Sequence, residues 1–169
     1  MNPSSTQTSF ASFVFGALFV LTMIAVSTGC QPQPTPVTGQ QIYTRYCAQC
    51  HQAEGSGIER AFPPIRGTEW VNGDKGRLIR LVLYGMQGPI EVQGQTYNNA
   101  MTPHGFLTDE QVAAVLTFVR SSFENDADPV LPDEVARVRA AEGERGLFLA
   151  SDLQNRLGIP DMDSTAVAP

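Results

Sequence analysis

The chain has 169 residues, 42% of them hydrophobic and 17% charged, enough apolar content for one buried core with extensions at its ends. Its formal net charge of −6 argues against a nucleic-acid partner, whose phosphates would repel it. The charge is uneven. Residues 40–80 carry six basic and four acidic side chains, whereas residues 105–169 carry five basic and twelve acidic ones. The carboxylate excess in the last third reads first as a solvated face and second as a surface that steers a basic partner.

From Phe10 to Val26 the chain is apolar apart from Ser12, Gly16 and Thr22, and Ser27-Thr28-Gly29-Cys30 follows. An apolar run ending in small residues is an export-signal pattern. Small residues directly before a cysteine resemble a bacterial lipoprotein processing site. That resemblance implies a removed signal over residues 1–29 and a lipidated Cys30 as the new N-terminus. Two other readings stand: an uncleaved membrane helix, somewhat short for a span of about 20 residues, and a plain cleaved signal. Lipidation disposes of an odd thiol that export would expose to oxidation, and two or more acyl chains attach a protein stably. Lipid or helix would hold the domain on a membrane of the bacterial cell envelope, outside the cytoplasm.

Residues 30–37 form a linker. Its alternating prolines, Pro32, Pro34 and Pro36, favour polyproline II geometry at about 3.1 Å per residue. Thr38 and Gln41 then read as a capping box, opening a helix with Ile42, Tyr43 and Tyr46 on one face. It runs into Cys47-Ala48-Gln49-Cys50-His51. Two cysteines three apart with histidine next is the spacing of covalent haem attachment. Each thiol adds across one vinyl group, and the histidine is held beneath the ring. A zinc site needs four ligands, and the cysteine and histidine left over, Cys30 and His104, form no second pair. A thioredoxin-like pair needs a βαβ context, and a plain disulfide leaves His51 unexplained.

Downstream, Glu54 to Gly57 is a loop, and Phe62-Pro63-Pro64-Ile65 follows. Trp70 suits either a haem propionate or ordinary core. Asp74 caps a helix with Leu78, Ile79, Leu81, Val82 and Leu83, dense enough to need partners on more than one side. A glycine-punctuated loop from Gly85 to Tyr97 leads to Asn98-Asn99-Ala100-Met101-Thr102-Pro103-His104. A second capping box at Thr108 and Gln111 opens a helix with Val112, Val115, Leu116 and Val119 at helical spacing, widened by Phe118 and Phe123.

Together these residues resemble the c-type cytochromes over about Thr38 to Asn125, residues 38–125 forming the domain. The resemblance implies an all-α, cytochrome c-like fold of about three to five helices around one covalently bound haem c, the last helix crossing the first. It implies thioether bonds at Cys47 and Cys50, His51 as one axial ligand of the iron, and Met101 as the other. A ligating histidine donates its second ring N–H to a carbonyl, and the Pro63-Pro64-Ile65 segment makes Pro63 the candidate. A neutral thioether stabilises ferrous iron and raises the potential. His104, on the same loop, is the rival ligand and would lower it. Met86 follows a helix and suits a hydrophobic slot.

The implied function is single-electron transfer between a redox donor and acceptor, with no enzymatic step of its own. Ala48, Gln49, Thr102 and Pro103 would stand near the accessible ring edge. Two alternatives are a haem sensor or haem enzyme with an open sixth position, and a cytochrome subunit of a larger dehydrogenase or oxidase. A domain this small buries a modest core, so the haem-free form is expected to be poorly folded. Residues 126–169 read as an acidic extension with short helices near Glu134 to Ala141 and Ser151 to Leu157.

Overall fold

The computed structural model describes residues 37–155. The apolar run from Phe10, Cys30, the linker prolines and the residues beyond Asn155 lie outside the described residues. Helix α1 (Gly39–Tyr46) starts at Thr38, whose hydroxyl accepts from the Gln41 amide at 3.2 Å while the Gln41 side chain accepts from the Thr38 amide at 2.8 Å. Cys47 separates it from the one-turn helix α2 (Ala48–His51). After a long loop come α3 (Glu69–Asn72) and α4 (Lys75–Tyr84), the latter capped by Asp74. Helix α5 (Asp109–Arg120) carries the second capping box at Thr108 and Gln111. Beyond it lie α6 (Pro132–Glu142) and α7 (Ala150–Asn155).

Four short strands accompany the helices. Strand β1 (Met86–Gln87) pairs in parallel with β4 (Phe148–Leu149), and β2 (Ile90–Val92) pairs antiparallel with β3 (Gln95–Tyr97). The described residues therefore hold seven helices and two two-stranded sheets, more than the three to five helices expected. The reason is local. One-turn helices such as α2 and α3 are too short to show a 3.6-residue period. The β1–β4 pair joins residues some sixty positions apart, which no local pattern reports. Among the described residues no helix is long and apolar enough to cross a membrane.

Two apolar clusters form. The larger joins Ile42 and Tyr43 of α1, Leu78, Ile79 and Leu83 of α4, the α5 residues Val112, Val115, Leu116 and Val119, and Val135 and Val138 of α6. Helix α6 thus supplies one of the partners that the dense apolar face of α4 requires. The smaller holds Trp70, Met86, Ile90, Val92 and Tyr97 with Phe148, Ala150 and Leu153. Arg120, almost fully buried, ties the end of α5 to its surroundings. Its guanidinium donates to the carbonyls of Val71 (2.5 Å), Gly73 (3.0 Å) and Asp128 (2.7 Å).

The crossing of α1 over α5 sets the frame. A Cβ on Gly39 would lie 2.1 Å from the Ala114 carbonyl oxygen and 2.8 Å from Phe118 Cβ. The first turn of α1 meets the middle of α5 this closely only without a side chain at that point. Replacing Gly39 with alanine must push the helices apart, and overpacking of this kind costs about 2 kcal/mol. Gly39→Ala is therefore expected to lower the unfolding free energy by about that amount in guanidinium titrations.

Candidate cofactor site

Helix α1 delivers Cys47 at its end, and the Cys47 amide donates to the Tyr43 carbonyl at 2.8 Å. Helix α2 then turns Cys50 and His51 onto one short segment, the His51 amide donating back to the Cys47 carbonyl at 3.0 Å. Both cysteines are free thiols and half-buried. Burial, reinforced by the neighbouring Cys50, pushes the Cys47 thiol up to about 11 before any attachment; a thioether at this position no longer titrates.

Directly after His51 the backbone reverses. Gln52 sits at φ 63°, a left-handed conformation that a side-chain-bearing residue adopts at a cost of order 1–3 kcal/mol. The Tyr43 hydroxyl stabilises that reversal by donating to the Gln52 carbonyl at 2.5 Å. The His51 carbonyl accepts from the Gly57 amide at 3.0 Å. Gly57 is at φ +68°, where a Cβ would stand 2.3 Å from the Phe62 carbonyl oxygen. The loop then folds back on itself through the Ile58–Phe62 bridge, which carries Pro63 to His51. His51 Nδ1 lies 2.9 Å from the Pro63 carbonyl oxygen. A carbonyl only accepts, so Nδ1 carries the proton and Nε2 keeps a lone pair. Burial lowers the His51 pKa against the opposing effect of that hydrogen bond, and His104 lowers it further. The imidazole is held neutral.

Met101 belongs to a different element. Its amide donates to the Met86 carbonyl at 2.9 Å, and the Met86 amide donates to the Met101 carbonyl at 3.2 Å. The side chain is half-buried and packs against the smaller apolar cluster. Met86 itself is buried in that cluster. His104 is half-buried, its ring 6.4 Å from Tyr46 and 5.9 Å from Phe106. Its Nδ1 is buried without a hydrogen-bond partner. Gln49, Thr102 and Pro103 are exposed and Ala48 is half-buried.

These residues fit a covalently attached haem. Two thiols flank a turn that ends in an imidazole whose Nδ1 is taken up by the Pro63 carbonyl, so the lone pair lies on Nε2. The buried Trp70 Nε1–H also has no acceptor, a donor suited to a carboxylate-bearing group. Cys47, Cys50, His51 and Pro63 come together through α2 and the loop to Pro63.

Other residues of this region have no signal in the sequence. Asn125 is buried, and its side chain accepts from the Gly67 amide at 2.9 Å and from Asn72 at 3.0 Å. It donates to the carbonyls of Ile65 at 3.0 Å and Val119 at 2.9 Å. It thereby pins the segment after Pro64 to the end of α5. A lone polar residue among acidic neighbours shows no periodicity.

Tyr43 provides a pH test. Burial, with lesser effects from Cys47 and Glu54, raises its phenol to about 12, against about 10 in an unfolded chain. Between those values the folded state holds a proton that the unfolded state has released. The Tyr43 contribution is thus fully present below about pH 10 and is lost as pH rises towards 12. Tyr43→Phe is expected to be about 1 kcal/mol less stable at neutral pH, with a shallower alkaline decline, in denaturant titrations stepped through pH.

The family model for cytochrome c matches residues 36–123. Cytochrome c-552 of Thermus thermophilus is 42% identical over 112 residues, covering 60% of this chain and 84% of that protein. The gluconate 2-dehydrogenase cytochrome c subunit of Pantoea cypripedii is 37% identical over 112 residues, 62% of this chain and 24% of that subunit. The fructose dehydrogenase cytochrome subunit of Gluconobacter japonicus is 32% identical over 107 residues, 60% of this chain and 22% of that subunit.

Proposed function

The chain belongs to the cytochrome c family, carries covalently bound haem c and transfers electrons, and from that premise we propose that Cys47 and Cys50 hold the haem while His51 and Met101 ligate its iron. The observation that carries the His51 assignment is its hydrogen bond to Pro63, which leaves Nε2 unprotonated. When bound, the haem supplies a one-electron ferrous/ferric couple. The chain's own residues do the rest. Cys47 and Cys50 fix the attachment, Pro63 orients the imidazole, and the apolar wall keeps the site at low dielectric. Gln49, Thr102 and Pro103 offer an exposed surface for contact with donor and acceptor. No proton-transfer group is required, which fits a carrier without an enzymatic step of its own.

The domain we assign to residues 38–125 is preceded by a linker over residues 30–37 and a lipoprotein-type signal over residues 1–29, with Cys30 as the lipidated residue. This places the protein on a membrane of the cell envelope, outside the cytoplasm. An uncleaved apolar helix would tether it to the same side. The working unit is then either a tethered shuttle or a cytochrome subunit of a larger dehydrogenase. Similarity to cytochrome c-552, covered over 84% of its length, supports the first, and similarity to the gluconate and fructose dehydrogenase subunits, covered over 24% and 22%, supports the second; co-purification from solubilised membranes separates the two. Intact mass of the native protein reports haem, signal removal and acylation together.

A second assignment of the sixth ligand rests on His104, whose Nδ1 is buried without a partner. Met101→Ala and His104→Ala distinguish the two. Loss of Met101 is expected to lower the potential by on the order of 0.1 V, within the about 0.8 V that axial ligands span. It is also expected to admit carbon monoxide to the ferrous protein rapidly, whereas His104→Ala leaves carbon monoxide excluded. The reverse pattern in redox titration and carbon monoxide binding assigns the position to His104.

A further inference from the structure

We propose that the segment from Arg139 to Leu153 is the brace that retains Met101, with Phe148 and Arg139 as positioning residues for the sixth ligand. This rests on the assignment of Met101 to the iron. Three independent observations place the brace on the Met101 loop.

The first is a ladder of backbone bonds. Met101 is bridged to Met86 on one side, and Met86 pairs with Phe148 on the other. The Phe148 amide donates to the Gly85 carbonyl at 3.2 Å. Gly85 itself is wedged into this contact at φ +68°, where a Cβ would lie 2.2 Å from the Met101 carbonyl oxygen and 2.8 Å from Leu147. Strand β1 is thus clamped between the ligand loop and the C-terminal segment.

The second is packing. Phe148 and Leu153 are fully buried in the same apolar cluster against which the Met101 side chain rests. Without them, the loop residues Met86, Ile90, Val92 and Tyr97 lose the two largest fully buried side chains that the C-terminal segment supplies, and keep Trp70, Ala150 and the partly buried Leu81, Tyr84 and Met101, a reduced apolar surface on which to hold a glycine-rich loop. Tyr84 meets the Phe148 ring edge-on at 5.9 Å between centroids, and its hydroxyl donates to the Gly143 carbonyl at 3.1 Å.

The third lies just downstream of the ligand. Arg139 donates to the carbonyls of Gly105 (3.0 Å) and Leu107 (2.8 Å) and pairs with Asp109 at 2.9 Å. The loop is therefore held on both sides of Met101 by residues outside the span matched to cytochrome c, 36–123. A soft thioether stays on the iron only as long as its loop stays closed. The brace sets how often it opens.

The test uses imidazole as an exogenous ligand to the ferric holoprotein, read by the change in absorption and by the reduction potential. Phe148→Ala is expected to bind imidazole about tenfold more tightly than the wild type and to exchange the Met101 amide faster in hydrogen exchange. Phe148→Leu is expected to restore most of both. Val138→Ala, equally buried but in the other cluster, is expected to lose stability while imidazole affinity stays within about twofold. Equal effects of Val138→Ala and Phe148→Ala at matched stability would reduce the brace to ordinary fold stability and overturn the proposal. So would unchanged imidazole binding in Phe148→Ala while Met101→Ala binds it tightly. A wild type that already binds imidazole as tightly as Met101→Ala would instead remove the Met101 assignment, and the brace with it. If Phe148→Ala does not yield folded protein, Arg139→Gln leaves the apolar cluster intact and is read against the same outcomes.

Discussion

The close passage of α1 over α5 is the constraint from which the cofactor site follows. With no side chain at Gly39, the first turn of α1 rests on the backbone of α5 at Ala114, and Ile42 and Tyr43 enter the core beside Val112 and Leu116. The Tyr43 ring packs near Phe118 at 5.7 Å and Phe123 at 5.0 Å between centroids. That leaves its hydroxyl free to reach the Gln52 carbonyl, so one residue links the helix crossing to the reversal that follows His51. The segment from Cys47 to His51 is thus positioned by packing at the other end of α1. Wider separation of the helices would move both cysteines at once.

Charge distribution takes on a different meaning in three dimensions. The basic excess of the first half and the acidic excess of the second are partly matched to one another. Lys75 pairs with Glu134 at 3.1 Å and Arg80 with Glu142 at 2.6 Å, the latter pair nearly excluded from water. Arg66 reaches Glu124 at 2.8 Å on the surface. A buried pair contributes little net stability, since desolvation offsets attraction, but removing one partner strands the other and is costly. These contacts therefore specify where the C-terminal segment docks more than how tightly. A carboxylate excess that reads as a solvated face along the chain is in part an internal seam.

For electron transfer, the value of this arrangement is rigidity on both sides of the proposed iron site. On one side the imidazole is oriented by a carbonyl and kept neutral by burial. On the other, the loop bearing Met101 is pinned to Met86 and backed by a second apolar cluster. An electron carrier works best when its ligands keep the same positions in both oxidation states, because less rearrangement then accompanies each transfer. A neutral, buried pocket also disfavours the charge that oxidation adds, in the same direction as a thioether ligand.

Much of the local structure was legible in the residues. Thr38 with Gln41 and Thr108 with Gln111 announce two helix starts, because a capping box is complete within four positions. Val112, Val115, Leu116 and Val119 declare their face, because helical periodicity is a property of neighbours along the chain. The Cys47 to His51 spacing pointed to a covalent haem for the same reason, since its chemistry is written in five consecutive residues. Tertiary structure alone decided the rest. Pro63 is already the candidate partner of His51 through the family resemblance, but what brings its carbonyl there is a loop folded back through Gly57 and the Ile58–Phe62 bridge. The four partners of Asn125, the burial of Arg120 and the docking of Phe148 against β1 each join positions that are distant in sequence. Such contacts depend on long-range closure, whose signals are single residues without period, so they appear only once the chain has packed.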